Sequence, residues 1–278
     1  MPKTRVELSR GEAVVEYDIA GTGPGLVLVH GTAASRAQWA PLTEAVADRF
    51  TVVAPDYSGS GGTLDHGGPI TVADLAAEVL AAAEHAGLDG FHLVGHSLGA
   101  VIAAHLAATQ PQRVRSLALH ACWVHTDTRM DAEFRYWLEL LHIDATHGSA
   151  AFPRMLPLMA FGPRYWERTD AAANEELVHA LAGMITPGAA RQTEVDRTVD
   201  LRPLLGNITA PTLVLASRHD RLIGADQQQA LLTGIRDARY AEIDAGHGAP
   251  AEDPAGFVTK IAGFLDDRLI RPIPAAVR

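Results

Sequence analysis

A chain of 278 residues that is 47% apolar and 20% charged is long enough to bury a sizeable core as one domain with room for an inserted subdomain. A net charge of −10, with no basic run to offset it, argues against nucleic acid or an anionic membrane as partner. One cysteine, Cys122, excludes an internal disulfide framework and a multi-thiolate metal site, and the first residues lack the apolar core of a signal peptide, so a cytoplasmic protein is expected.

In chain order, Arg5–Leu8 and Ala13–Tyr17 read as two strands of a hairpin turning at Arg10-Gly11. Leu26–Val29 is a continuous apolar run of the kind buried on both faces of a parallel sheet, and it ends in His30-Gly31-Thr32. Ser35 and Gln38 match a capping box, with Trp39, Leu42 and Val46 on one face of the helix that begins near Pro41. Thr51–Ala54 is the next strand, closed by Pro55-Asp56 and a glycine-rich loop. Thr71 and Asp74 form a second capping box, whose helix stops at Gly87.

The run from Phe91 to Ala100 organises the rest. An apolar strand ending at Leu93-Val94 breaks into Gly95-His96-Ser97-Leu98-Gly99 and continues as a helix to Pro111. So abrupt a reversal strains its apex, and a Cβ at Gly95 or Gly99 would strike the neighbouring strand or helix. The Ser97 hydroxyl then stands above the sheet at the positive end of a helix. Arg113–His120 is one more strand, and this alternation of strands and helices calls for a parallel sheet covered on both faces.

Between residues 122 and 205 the alternation stops. Helical pieces around Phe134–Leu138 and Glu175–Met184 are broken by Gly148, Pro153, Pro157, Gly162-Pro163 and Pro187-Gly188. This stretch, under a third of the chain, holds eight of the sixteen aromatics and four of the five methionines, enough for a small core of its own or for an apolar pocket wall. As wall residues we single out Trp123, Trp137 and Phe161. The core regions are then 1–121 and 206–278, and 122–205 is a helical cap.

The sheet resumes at Pro211–Ala216, followed by Ser217-Arg218-His219-Asp220. A helix around Ala230–Leu232 leads to the strand Arg239–Ile243, and then to Asp244-Ala245-Gly246-His247. Asp253-Pro254 opens the last helix, with Phe257, Ile261, Phe264 and Leu265 on its inner face.

Ser97, Asp220 and His247 each follow a strand, and this order resembles the α/β-hydrolase superfamily over nearly the whole chain. The matching features are the His30-Gly31 turn, the Asp56–Gly61 loop, the Gly95–Gly99 elbow, the strand with Asp220, and Gly246-His247 followed by Glu252, Pro254 and Phe257. Ser217 stands where many members have glycine, and Tyr57-Ser58 replaces an arginine often seen after the aspartate. The resemblance implies an α/β-hydrolase fold with a mostly parallel sheet of about eight strands, Ser97 as nucleophile, His247 as base and Asp220 as acid. It places oxyanion-hole amides at Leu98 and Thr32, and its overall look is that of capped esterases, lactonases and small-amide or enol-lactone hydrolases.

A serine hydroxyl needs a base at neutral pH, and imidazole suits that role. His96, with its ring turned away from the serine's pocket, and His30 in its turn read as structural. Asp127 is a second candidate acid, and Asp244 lies too close to His247 in sequence. The expected protein is a serine hydrolase without cofactor or metal that cleaves an ester, lactone or thioester of an apolar small molecule through an acyl-enzyme. A carbon–carbon bond hydrolase, a lyase or a non-haem haloperoxidase-type perhydrolase uses the same triad, and a non-catalytic binding protein is the rival from another class.

Overall fold

Strands buried at every residue are stable only when both faces of the sheet are covered, and Gly25–Val29 (β3) and Phe91–His96 (β5) are buried throughout. In the computed structural model, which describes residues 1–270, they lie side by side and parallel in the middle of one eight-stranded sheet. The order is β1-β2-β4-β3-β5-β6-β7-β8. Here β1 is Lys3–Glu7, β2 Glu12–Ala20, β4 Thr51–Pro55, β6 Val114–His120, β7 Thr212–Ser217 and β8 Ala238–Ile243. The β1–β2 and β2–β4 pairs are antiparallel, and every pair from β4 to β8 is parallel.

Period-two alternation divides the strand side chains between two layers. Val27, Val29, Leu93, Leu117 and Val214 face helices α2 (Val72–His85) and α3 (Leu98–Thr109). Leu26, Leu28, Val94, Ala118 and Leu215 face α1 (Ala40–Val46) and the terminal helix, where Trp39, Leu42, Phe257, Ile261 and Leu265 complete the second core. Each such large side chain contributes roughly 1.5–3 kcal/mol relative to exposure. Helix α3 is buried nearly all round, and its alanines let it sit close to the sheet.

Between β6 and β7 the chain inserts α4 (Thr128–His147), α5 (Ala151–Ala160), α6 (Pro163–Arg168), α7 (Ala171–Met184) and α8 (Ala189–Asp196). The insert leaves and returns at one point: Thr126 N–H donates to Val199 O at 3.0 Å, and Leu201 N–H to Val124 O at 2.7 Å. After β7 come α9 (Ala225–Gly234), β8, α10 (Ala249–Glu252) and α11 (Pro254–Ile270).

The capping box at Thr71 forms in full, with Asp74 returning the bond. The one expected at Ser35 does not. Ser35 makes no side-chain cap bond, because the chain there winds into a 3₁₀ turn, Arg36–Trp39, before α1, and Gln38 Oε1 turns back toward Gly31 N–H. Nor do Pro153 and Pro157 break the insert as expected, since α5 runs through both. Pro153 falls in the first turn, where no N–H is needed, and Pro157 forgoes one internal bond while its own carbonyl still accepts Phe161 N–H. Among the described residues no helix is long and apolar enough to cross a membrane.

Candidate active site

Ser97 sits between β5 and α3 with φ +54° and ψ −125°, a left-handed conformation costing roughly 1–3 kcal/mol for a residue with a side chain. The flanking glycines make it possible. A Cβ on Gly95 would lie 2.3 Å from Gly99 O, and one on Gly99 would lie 2.1 Å from Val29 O. The turn is held by Ser97 N–H donating to His120 O at 3.0 Å. The hydroxyl is thereby set 3.0 Å from His247 Nε2.

On its other side His247 Nδ1–H meets Asp220 Oδ2 at 2.9 Å. Asp220 Oδ1 accepts the N–H groups of Leu222 and Ile223, both at 2.9 Å. Burial pushes this carboxyl upward, but His247 and the two amides outweigh it and leave its pKa below the usual value. Asp220 thus works as a turn cap with one oxygen and orients the imidazole with the other. The other two aspartates are engaged elsewhere: Asp127 caps α4 through Met130 N–H, and Asp244 pairs with His219 and Arg164. The His247 loop is tied to the insert by Glu252, whose Oε2 accepts Gly246 N–H at 2.7 Å and Gly162 N–H at 2.8 Å.

Leu98 N–H heads α3 and, as a first-turn amide, has no partner within the helix. Beside it runs the loop after β3, so close that a Cβ on Gly31 would lie 3.2 Å from Ser97 Cβ. Thr32 follows, and its hydroxyl donates to Asp196 of α8 at 2.8 Å, a long-range bond across 164 positions rather than a local turn cap. Ala33 has φ +58°, and its N–H donates to Gln192, also of α8.

Several buried histidines surround this centre. His30 donates from Nδ1 to Gly31 O at 2.8 Å and stacks on Tyr57, whose hydroxyl donates to His30 O. His96 was expected to turn away; its Nδ1 meets His120 Nδ1 at 2.8 Å, but its ring centre lies only 5.2 Å from that of His247. His120 in turn reaches Ser217 Oγ at 2.9 Å. Burial pushes the pKa of His30 down to about 4, that of His120 to about 3 and that of His96 well below the ordinary value. These rings stay neutral and add no positive charge beneath His247. The bond to His120 gives Ser217, one of the two departures from the family pattern, a structural role.

Trp123, Trp137 and Phe161 are all buried. The first two belong to a packed aromatic series, Trp123–Phe134–Trp137–Phe152, tilted at its first pair and edge-on at the other two, in the insert. Phe161 packs on Tyr165 and against Gly248, where a Cβ would lie 2.6 Å from Phe161 Cε1, so it adjoins the His247 loop. Sequence reasoning passed over Glu133, on α4. Arg129 bridges it to Leu222 O in the Asp220 loop; burial raises the Glu133 pKa and Arg129 and His247 pull against that rise. A lone glutamate in a mixed helix gives no signal of this. Among the described residues no group of three or more His, Cys, Asp or Glu side chains is placed to hold a metal ion.

The profile described as the alpha/beta hydrolase fold matches residues 24–254. A pyrrolizixenacetamide deacetylase of Xenorhabdus hominickii is 37% identical over 92% of this chain and 96% of its own. A protein of Azorhizobium caulinodans named for carbamate hydrolysis (RutD) is 32% identical over 92% and 97%. Among solved structures, an enol-lactonase of Burkholderia xenovorans superposes with a TM-score of 0.81 at 25% identity, covering 95% of this chain and all of that one (100%).

Proposed function

The chain belongs to the α/β-hydrolase fold family, and within it we propose a serine hydrolase that opens an acyl–oxygen, acyl–sulfur or acyl–nitrogen bond of a small molecule through an acyl-enzyme. The observation that carries this reading is the unbroken line of hydrogen bonds from Ser97 Oγ through His247 to Asp220, at 3.0 and 2.9 Å. In this reading Ser97 Oγ bonds to the substrate carbonyl carbon as its proton passes to His247 Nε2. Asp220 holds the tautomer that leaves Nε2 free to accept and stabilises the imidazolium that forms. The carbonyl oxygen, now an alkoxide, takes hydrogen bonds from the amides of Leu98 and Thr32. Collapse expels the alcohol, thiol or amine, which leaves with the proton from His247. Water then repeats the sequence on the acyl-enzyme and releases the acid.

The names of the relatives direct the reading to acetamide- and carbamate-type bonds as well as to esters, lactones and thioesters. The helical insert, taken as residues 122–205, acts as the cap over Ser97. Phe161 beside the His247 loop is the side chain we place on the pocket wall, and we place Trp123 and Trp137, which pack with Phe134, on the same lining. An apolar substrate suits this lining, and the reading places the enzyme in the cytoplasm.

The test pairs p-nitrophenyl esters with p-nitroanilides of the same acyl groups, acetyl to decanoyl, in wild type and Ser97→Ala. The reading expects turnover by the wild type, loss of about 10⁴-fold or more in the variant, and phosphonate labelling at Ser97. A variant that keeps its rate, or a label on another residue, overturns it.

A further inference from the structure

Helix α8 has only eight residues, yet its Gln192, Thr193 and Asp196 side chains are sealed from solvent. Buried polar groups persist where partners compensate for lost water, and two of these find theirs in the core loops. Gln192 Oε1 accepts Ala33 N–H at 2.9 Å while its Nε2 donates to Ser58 O at 3.1 Å. Asp196 Oδ2 accepts the Thr32 hydroxyl at 2.8 Å. The backbone of α8 is itself fixed: Thr126 donates to Asp196 O at 2.5 Å, and a Cβ on Gly188 would lie 2.2 Å from Gly59 Cα. The loop that carries the Thr32 amide is therefore anchored to the insert, through one side chain and one amide, as well as to the strand it follows.

Asp196 is set apart by what it lacks. Its Oδ1 is enclosed with no hydrogen-bond partner. Around it stand Thr32 after β3, Tyr57 after β4, whose phenol an ionised Asp196 would hold protonated, and Thr126 with Trp123 after β6. The neighbouring Arg197 is taken by Asp131 of α4 and by Glu194. Burial lifts the carboxyl to about 8, against the pull of the Thr32 bond, so it is mainly uncharged at neutral pH.

We propose that Asp196 and Gln192 are positioning residues for the oxyanion loop, so that the Thr32 amide is aligned for the developing alkoxide only when α8 is seated on the core. The proposal rests on the reading of Ser97 as nucleophile. Oxyanion donors act within a few tenths of an ångström, and a loop freed from these anchors loses that alignment. An ionised Asp196 sets a negative charge against the hydroxyl of the residue whose amide serves the forming alkoxide, so the neutral acid is the competent form.

The test measures two quantities across about pH 6 to 10. One is the rate at which a p-nitrophenyl phosphonate labels Ser97, and the other is kcat and KM for p-nitrophenyl acetate. Asp196→Ala lowers labelling and kcat by roughly 10- to 100-fold with KM within about threefold. Asp196→Asn, which still accepts from Thr32 and cannot ionise, returns both to within about threefold at pH 7 and lacks the decline that the wild type shows above pH 8. Thr32→Val keeps the backbone amide and the acid but removes the bond, and shows the loss even where Asp196→Ala does not fold. Equal labelling of wild type and Thr32→Val, equal losses in Asn and Ala at position 196, or an alkaline decline that persists in Asp196→Asn overturns the proposal alone. A wild type whose Ser97 takes no label overturns the nucleophile assignment and the proposal with it.

Discussion

Helices α3 and α7 are of similar length, 12 and 14 residues, and are held in opposite ways. Ten residues of α3 are buried, and its first turn is wedged so tightly that a Cβ on Gly99 meets backbone at 2.1 Å. On α7 only Val178 is buried, and a Cβ on Gly183 meets nothing within 4 Å. One helix fixes an atom; the other covers a surface. The elbow at Ser97 sits where packing leaves no alternative, while α7 lies on one side of the insert with few contacts to fix it.

That contrast is tested most severely by chemistry. Ser97→Ala is expected to reduce kcat by about 10⁴- to 10⁶-fold while the fold and its Tm stay close to wild type, because the change removes a hydroxyl and no packing. Asp220→Asn is expected to lower kcat by roughly 10³- to 10⁴-fold through the wrong imidazole tautomer, read by steady-state kinetics on the same ester. A smaller loss would mean that the acid's role is shared.

The glycine pair then compares the two helices directly. Gly99→Ala should destabilise the protein by about 3 kcal/mol or more in urea, since neither β3 nor the elbow can move aside. Gly183→Ala should stabilise it by roughly 0.5–1 kcal/mol through helix propensity alone. Equal and small effects at both positions would dissolve the distinction.

Helix α8 belongs with α3 by burial though it lies in the insert, and its stability should report this through pH. Asp196 binds its proton more tightly folded than unfolded, so the unfolded chain releases it at lower pH and the folded state is penalised as pH climbs from the usual carboxylate range to about 8. Urea denaturation should therefore show the wild type losing roughly 2 kcal/mol or more relative to Asp196→Asn between about pH 4 and pH 9, with the penalty fully present at the alkaline end.

Much of the core was legible because its signals are local. The Gly-x-Ser-x-Gly turn, the Thr71–Asp74 box and the strand ends before Asp220 and His247 are set by residues within a few positions of each other, and the structure brings them where the pattern put them. Ser35–Gln38 carries the same local pattern and fails, because the 3₁₀ turn and the pull of Gly31 on Gln38 come from the tertiary setting. Asp196 and Gln192 were invisible for a related reason. Their partners Thr32 and Ala33 lie 164 and 159 positions away, and an aspartate and a glutamine in a polar helix look like solvent-facing residues until the loop they hold is in view.

The paired backbone bonds at Thr126–Val199 and Leu201–Val124 bear on how such a chain diversifies. Because the two ends of the insert are stitched together where they leave the sheet, the chain between them is a closed loop whose closure entropy grows only as the logarithm of its length, about 0.6 kcal/mol per doubling. Helices can be lengthened, lost or exchanged there while β6 and β7 remain neighbours. Selection for a new substrate can thus rewrite the insert without renegotiating the sheet that carries Ser97.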